Sequence, residues 1–164
     1  MLICGFSAYS QDCKYSRDEI DEFTKKHILE TKPQQLTISN MGLGFSTAIT
    51  LKKVQDSRFL VLSYTSPSNI ILQRGSKIML KDDSDFILEL IVPELIISKS
   101  TYNSTLKGFV HKGDVAFALT ANEFEDLKSH MINKMRVYTS EGYIDDDISE
   151  KRWKKISILL KCID

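Results

Sequence analysis

Apolar and polar side chains alternate along most of this chain, and that period of two constrains its fold more than any other feature. Successive side chains of an extended strand point to opposite faces, so the alternation predicts half-buried β-strands. Residues 45–51 follow it, and residues 58–65 are apolar on both faces, which predicts a central strand covered on both sides. The acidic group at residues 82–85 separates two apolar runs, residues 77–81 and 86–92, and predicts a hairpin loop between them.

Helical signals are few. Thr120 and Glu123 form a capping-box pattern before a short helix, and residues 148–162 predict a C-terminal helix whose acidic start, residues 145–147, suits the helix dipole. Tyr138 and Tyr143 are expected to pair across a hairpin. The predicted fold is mainly β (α+β), an antiparallel β-sandwich or partly open barrel of about eight to ten strands with one short helix and a C-terminal helix packed on a sheet. The apolar stripe of that last helix is Trp153, Ile156, Leu160 and Ile163.

Two further regions are expected to contain strands. Residues 101–110 and 114–119 are expected to form two strands. Residues 16–29 fit either a short capped helix or a strand, and an edge strand followed by a loop at residues 32–33 is favoured.

The first ten residues have the character of an export signal. Residues 1–6 are apolar and uncharged, and Ala8 and Ser10 supply the small side chains that signal peptidases accept, with Gln11 as the first mature residue. We therefore divide the chain into a remnant of an export signal, residues 1–10, and a single β-rich domain, residues 11–164. The alternative is an N-terminal strand, residues 2–9, in a cytosolic domain, because a complete signal has a basic start and a longer apolar stretch.

The three cysteines support the same division. Cleavage after Ser10 removes Cys4 and leaves Cys13 and Cys162 at the two ends of the mature chain. Two cysteines in an exported chain predict a structural disulfide, and the alternative is a pair of buried free thiols. Ile3 before Cys4 is too large for a lipoprotein signal, so lipid anchoring is not expected.

Composition limits the classes of partner. Acidic and basic residues number 22 each, and this balance offers no overall field for nucleic acid or an anionic membrane. No run is long and apolar enough for stable membrane insertion. The sequence contains no C-x-x-C motif and no complete glycine-rich phosphate loop, so we expect no cofactor and no redox motif.

Candidate chemistry is sparse. Residues 82–85 could bind calcium, but a polar hairpin tip explains them better. No G-x-S-x-G elbow is present, and the histidines lack metal-ligand spacing. His27 is expected on a helix or strand face, His111 in a loop beside Gly113, and His130 at a helix end. We assign no catalytic, cofactor-binding or metal residue.

Three segments resemble small uncharacterised exported proteins of the Bacteroidota. They are residues 7–11 (Ser-Ala-Tyr-Ser-Gln) followed closely by Cys13, residues 75–81 (Gly-Ser-Lys-Ile-Met-Leu-Lys), and residues 136–143 (Arg-Val-Tyr-Thr-Ser-Glu-Gly-Tyr). The resemblance implies export and a periplasmic or extracellular location. It implies no activity and no catalytic residues.

The sequence favours an exported β-rich module with a non-catalytic binding or structural role, toward an unknown protein or glycan partner. A second hypothesis is an inhibitor or immunity-type protein that binds a toxin or a protease. A third is an exported hydrolase whose residues converge only in the folded chain. A deep cleft holding His111 or His130 against an Asp or Ser would favour the third.

Overall fold

The structure is a computed structural model that describes residues 13–38 and 44–164. Within them the chain is mostly β, with three antiparallel sheets and two helices, which confirms the expected fold class. The strands are β1 (Tyr15–Ile20), β2 (His27–Thr31), β3 (Gln34–Thr37), β4 (Ser46–Val54), β5 (Ser57–Ser66), β6 (Ile71–Leu72), β7 (Lys77–Lys81), β8 (Ile87–Ile91), β9 (Ile96–Ile97), β10 (Lys99–Asn103), β11 (Gly108–Leu119), β12 (Lys134–Thr139) and β13 (Gly142–Asp147). The helices are α1 (Ala121–Ser129) and α2 (Glu150–Cys162).

The largest sheet has seven strands and curls into a half-barrel. Its order is β1-β2-β4-β5-β11-β10, and β3 also pairs with β4. The strand β5 is central, as its apolar pattern predicts. Leu60, Leu62 and Tyr64 on one face of β5 are buried, whereas Phe59 and Val61 on the other face are half-buried. The prediction that both faces of β5 are covered is therefore confirmed for one face and only partly for the other.

The second sheet has four strands in the order β13-β12-β7-β8, and β6 pairs with β9 in a third, two-stranded sheet. The predicted hairpin of β7 and β8 is confirmed, with residues 82–85 between the two strands. Tyr138 and Tyr143 face each other across β12 and β13, with ring centroids 6.1 Å apart. One face of this sheet joins the hydrophobic core through Ile78, Leu80, Leu88, Leu90, Met135 and Val137.

Both predicted helices are present. The Thr120 hydroxyl accepts a hydrogen bond from the Glu123 N–H at 3.2 Å, and the Thr120 N–H donates to the Glu123 carboxylate at 2.7 Å, so the capping box is confirmed. All four residues of the predicted stripe are buried: Trp153, Ile156 and Leu160 in α2, and Ile163 directly after its last residue. Among residues 13–38 and 44–164, neither helix has the length and apolar character needed to cross a membrane.

The sequence suggested that the acidic run at residues 145–147 begins the C-terminal helix, and this prediction is wrong. These three residues lie in β13, and the helix begins only at Glu150, after Ser149 at the N-cap. The physical reason is pairing with β12, where Asp145 lies opposite Arg136 and Asp147 lies opposite Lys134. Opposite charges across a strand pair stabilise the sheet.

The boundary between β10 and β11 also differs from the expectation. The turn lies at residues 104–107, where the Asn103 side-chain oxygen accepts hydrogen bonds from the N–H groups of Thr105 and Leu106. The strand β11 then runs without a break through His111 and Gly113. The expected loop at His111 is therefore wrong.

The N-terminal stretch forms two strands and no helix. A turn at residues 21–26 joins β1 to β2, and the Asp21 carboxylate holds it by accepting hydrogen bonds from the N–H groups of Phe23 and Thr24. The loop predicted at residues 32–33 separates β2 from β3. The strand β1 lies at the edge of its sheet, as expected.

A disulfide joins the two ends of the described chain. The sulfur atoms of Cys13 and Cys162 are 2.03 Å apart, and 149 positions of sequence separate the two residues. The bond ties the last residue of α2 to the segment before β1, next to a hydrogen bond from the Tyr15 hydroxyl to the Cys162 carbonyl at 2.8 Å. Residues 1–10, with Cys4 and the expected signal remnant, lie outside the described residues.

Candidate functional site

An open groove of about 630 Å³ lies along the exposed face of the four-stranded sheet. Residues of β7, β12 and β13 line most of it, together with Ile87 of β8 and Ile38, just after β3. The lining combines apolar residues with three basic and three acidic ones. They are Ile38, Met79, Lys81, Ile87, Lys134, Met135, Arg136, Asp145, Asp146 and Asp147.

Strand register explains why these side chains meet. Met79 in β7 lies opposite Arg136 in β12, and Arg136 lies opposite Asp145 in β13, so the three form one row across the sheet. Lys81 and Lys134 form the next row. Because side chains alternate along a strand, their sequence neighbours on β7 and β12 point to the core and anchor the face.

The strongest polar contact of the groove is the pair of Arg136 and Asp145. Two guanidinium nitrogens of Arg136 donate to the two carboxylate oxygens of Asp145, both at 2.6 Å. The same guanidinium lies 4.1 Å from the centroid of the Tyr143 ring. Hydrogen bonding to Asp145 raises the pKa of Arg136, and the pair lowers the pKa of the Asp145 carboxyl. Because the Arg136 guanidinium forms two hydrogen bonds to Asp145 and lies over the Tyr143 ring, it is held in one orientation without a ligand.

The groove combines apolar residues with charged ones. Its lining residues in the described chain include no histidine, serine, threonine or cysteine, so its reactive groups are lysine amines and aspartate carboxylates. Met79 and the partly exposed Ile38 and Ile87 offer apolar contact beside the fixed charges. Methionine and arginine are enriched at interfaces between separately folded proteins, and the rim of such interfaces is polar.

A second polar cluster lies where β7 ends, and none of its residues lines the groove. The Nδ1 atom of His130 is 2.7 Å from a carboxylate oxygen of the buried Asp82. The Phe86 ring stacks on the His130 ring, with centroids 3.8 Å apart, and the Trp153 indole N–H donates to the His130 carbonyl at 2.8 Å. The cluster joins the β7–β8 hairpin to the end of α1 and to α2.

Its geometry does not assemble a catalytic triad. The Ser84 hydroxyl donates to the Asp82 carboxylate at 2.8 Å and so is not directed at His130. Among the described residues, no hydroxyl or thiol contacts the second ring nitrogen of His130, and His130 lines neither the groove nor the smaller pocket at residues 68–71 and 139–144. We call this cluster of Asp82, Phe86, His130 and Trp153 the clasp, because its contacts fix the loop at residues 82–85 against α1 and α2.

Asp82 provides a pH test of the clasp. Burial raises the pKa of Asp82, but hydrogen bonds from His130, Ser84 and the Phe86 N–H outweigh it and bring that pKa to about 2. A carboxyl with a lowered folded-state pKa stabilises the fold above its unfolded pKa of about 4, and the contribution is lost as pH falls toward the folded value. We expect Asp82→Asn to destabilise the protein near pH 5 and to differ much less from the parent near pH 2.

Unfolding by urea between pH 2 and pH 5 measures this difference. The matched control is Asp56→Asn, at an exposed carboxylate in the turn after β4, which should leave the unfolding free energy close to the parent value across this range. A difference between Asp82→Asn and the parent that stays constant from pH 5 to pH 2 would contradict the clasp.

The other two histidines lie on strands, with His27 exposed and His111 half-buried. His111 Nδ1 lies 3.0 Å from the Ser100 hydroxyl across β10 and β11. His27 in β2 lies 2.8 Å from the Asp18 carboxylate, which confirms its place on a strand face. Neither lines a groove, and in the described part of the chain no carboxylate bonds to the ring of His111. Each histidine therefore contacts a polar side chain, but none of the three lies in the groove or in the smaller pocket.

The candidate metal residues do not gather into a site. Within residues 13–38 and 44–164, no group of three or more His, Cys, Asp or Glu side chains is placed to hold a metal ion. At residues 82–85, the Asp82 carboxylate accepts hydrogen bonds from Ser84 and from the Phe86 N–H, as in a polar hairpin tip.

The groove was not found from the sequence, although one signal was available. The hairpin turn that pairs Tyr138 with Tyr143 also sets Arg136 opposite Asp145, because the two pairs lie in the same register. Comparison with protein-family models, curated proteins and solved structures found no match to this chain. The geometry of the site therefore carries the functional argument.

Proposed function

We propose that this protein is an exported, non-catalytic binding module and that the groove of the four-stranded sheet receives a protein partner. One observation carries the proposal. The groove of the four-stranded sheet is lined, among the described residues, by apolar residues and by charges that include the pre-oriented Arg136–Asp145 pair, with no histidine, serine, threonine or cysteine. Such a surface suits recognition, because the Arg136 guanidinium is already held in place and loses little ordering entropy on binding.

Two features support export. The Cys13–Cys162 disulfide is of the kind found in proteins of oxidising compartments. The sequence of residues 1–11 matches the end of an export signal. The proposed location is the periplasm or the cell exterior, with Gln11 as the first residue of the mature protein.

A photo-crosslinking experiment in the native host tests both parts. A benzophenone amino acid replaces Ile87, a groove residue whose side chain is 46% exposed, or Ile158 on α2, a matched control at 44%. We expect to recover the protein from the exported fraction, with the intact mass of a chain whose first residue is Gln11. A discrete protein adduct should form from position 87 and not from position 158.

Each other outcome counts against a defined part of the proposal. Equal adducts at both positions, or none at either, would reject the groove as the partner site. A product that retains Met1 and free thiols would reject export. A toxin or protease in the adduct would identify the module as an inhibitor or immunity-type protein, which is the second hypothesis made from the sequence.

A further inference from the structure

The hairpin of β10 and β11 presents an apolar tip to solvent. Tyr102 and Phe109 lie opposite each other on the last rung but one before the turn, with ring centroids 5.6 Å apart in an edge-to-face arrangement. Their exposed fractions are 59% and 64%, and Leu106 in the turn is 42% exposed. The Asn103 side chain holds this turn through two backbone hydrogen bonds, so the tip is formed in advance.

The charge at this tip is cationic. The hairpin carries Lys99, Lys107 and Lys112, and none of the three forms an ion pair with another described residue. Lys99 and Lys112 lie directly opposite each other, a pairing that repels unless an anion approaches. Residues 95–113 contain no acidic side chain, and the acidic residues next to them in sequence are Glu94 and Asp114, which lies farther along β11 from the turn than Lys112. The overall balance of charge conceals this cationic end of the half-barrel.

We propose that the tip of the β10–β11 hairpin docks this protein on the surface of an anionic lipid bilayer. Lysines near a membrane are attracted by acidic headgroups, while Tyr and Phe suit the boundary between headgroups and acyl chains. Three apolar side chains on one turn offer far less area than the roughly 800 Å² per partner of a stable protein interface. A bilayer needs only shallow insertion of such a tip, which is peripheral docking and not a membrane span.

A second exposed tip in the same sheet provides a matched comparison. Phe23 in the β1–β2 turn is 94% exposed and stands beside Lys25 and Lys26. Here the neighbouring residues include the acidic side chains of Asp18, Glu19, Asp21 and Glu22. This second tip has the apolar group and the lysines, but four acidic residues lie within five positions of Phe23, so we do not expect it to dock.

Cosedimentation of the full chain with lipid vesicles tests the proposal. The probes are vesicles of phosphatidylglycerol mixed with phosphatidylcholine, vesicles of phosphatidylcholine alone, and polyglutamate on a resin as a lipid-free anion. The variants are Phe109→Ser and the triple change of Lys99, Lys107 and Lys112 to Gln. The controls are Phe23→Ser and a triple change of Lys25, Lys26 and Lys32 to Gln. All chains are first compared by thermal unfolding, so that a fold defect is separated from a binding defect.

We expect the parent protein to bind the anionic vesicles, with weaker binding as ionic strength rises. The lysine triple should weaken binding about 100-fold, at about fivefold for each lysine, and Phe109→Ser should weaken it at least about tenfold. The controls should bind as the parent does. Absence of parent binding, equal binding to phosphatidylcholine alone, or an equal loss in the controls would overturn the proposal. Binding to polyglutamate but not to vesicles would overturn it in favour of an acidic protein partner.

Discussion

Replacing Cys162 with Ser lowers the free energy of unfolding by about 2–5 kcal/mol under oxidising conditions. The bond closes a loop with a sequence separation of 149 residues, and its main effect is to restrict the unfolded chain. The folded state should change little, because other contacts hold the end of the chain. Tyr15 bonds to the Cys162 carbonyl, Lys53 bonds to the Asp164 carbonyl, and the Ile163 side chain is buried.

Chemical unfolding with and without reductant measures the effect. Parent and variants carry Cys4→Ser, so that the third thiol cannot exchange with the pair. Cys13→Ser, Cys162→Ser and the double variant should be equally destabilised, since each lacks the same bond, and reductant should lower the parent to their level. A parent protein with the same stability as the variants under oxidising conditions would show that the bond does not form in solution.

Local signals predicted a large part of this fold. The hairpin around residues 82–85, the Thr120 capping box and the buried stripe of α2 each depend on residues a few positions apart, and all three are present. Reliance on local signals also explains why the turn of the β10–β11 hairpin was missed. The Asn103 side chain that organises this turn gives a weaker sequence signal than Gly113, which was taken for the end of a strand.

The candidate sites depend on pairings that local patterns do not specify. β12 pairs with β7 across about fifty residues of sequence, and only that pairing brings Met79 beside Arg136. The clasp joins Asp82 to His130 over a separation of 48. The acidic residues 145–147 fitted a helix start by a local rule, but cross-strand pairing with Arg136 and Lys134 places them in β13. Long-range pairing therefore decided the groove, the clasp and the place of residues 145–147.

Gly113→Ala destabilises the fold by about 1–3 kcal/mol, because an added methyl group meets a ring that cannot move away. A Cβ at position 113 would lie 2.7 Å from Cε1 of Tyr64 and closer still to the end of the ring. Tyr64 is buried, stacks on Phe45 with centroids 5.9 Å apart, and directs its hydroxyl at the Ile70 carbonyl. The glycine therefore leaves room for the Tyr64 ring to lie over β11, and it does not mark a loop.

The same strand supplies a control for Gly113→Ala. Gly108→Ala adds the same methyl group where the nearest atom, the Leu106 carbonyl oxygen, is 3.8 Å away, so stability should change by less than about 1 kcal/mol. Tyr64→Leu removes the ring, and the double variant with Gly113→Ala should be more stable than the sum of the two single effects predicts. Urea unfolding of the four variants measures this coupling. Equal effects of Ala at positions 108 and 113 would mean that the Tyr64 ring does not fill the space above Gly113.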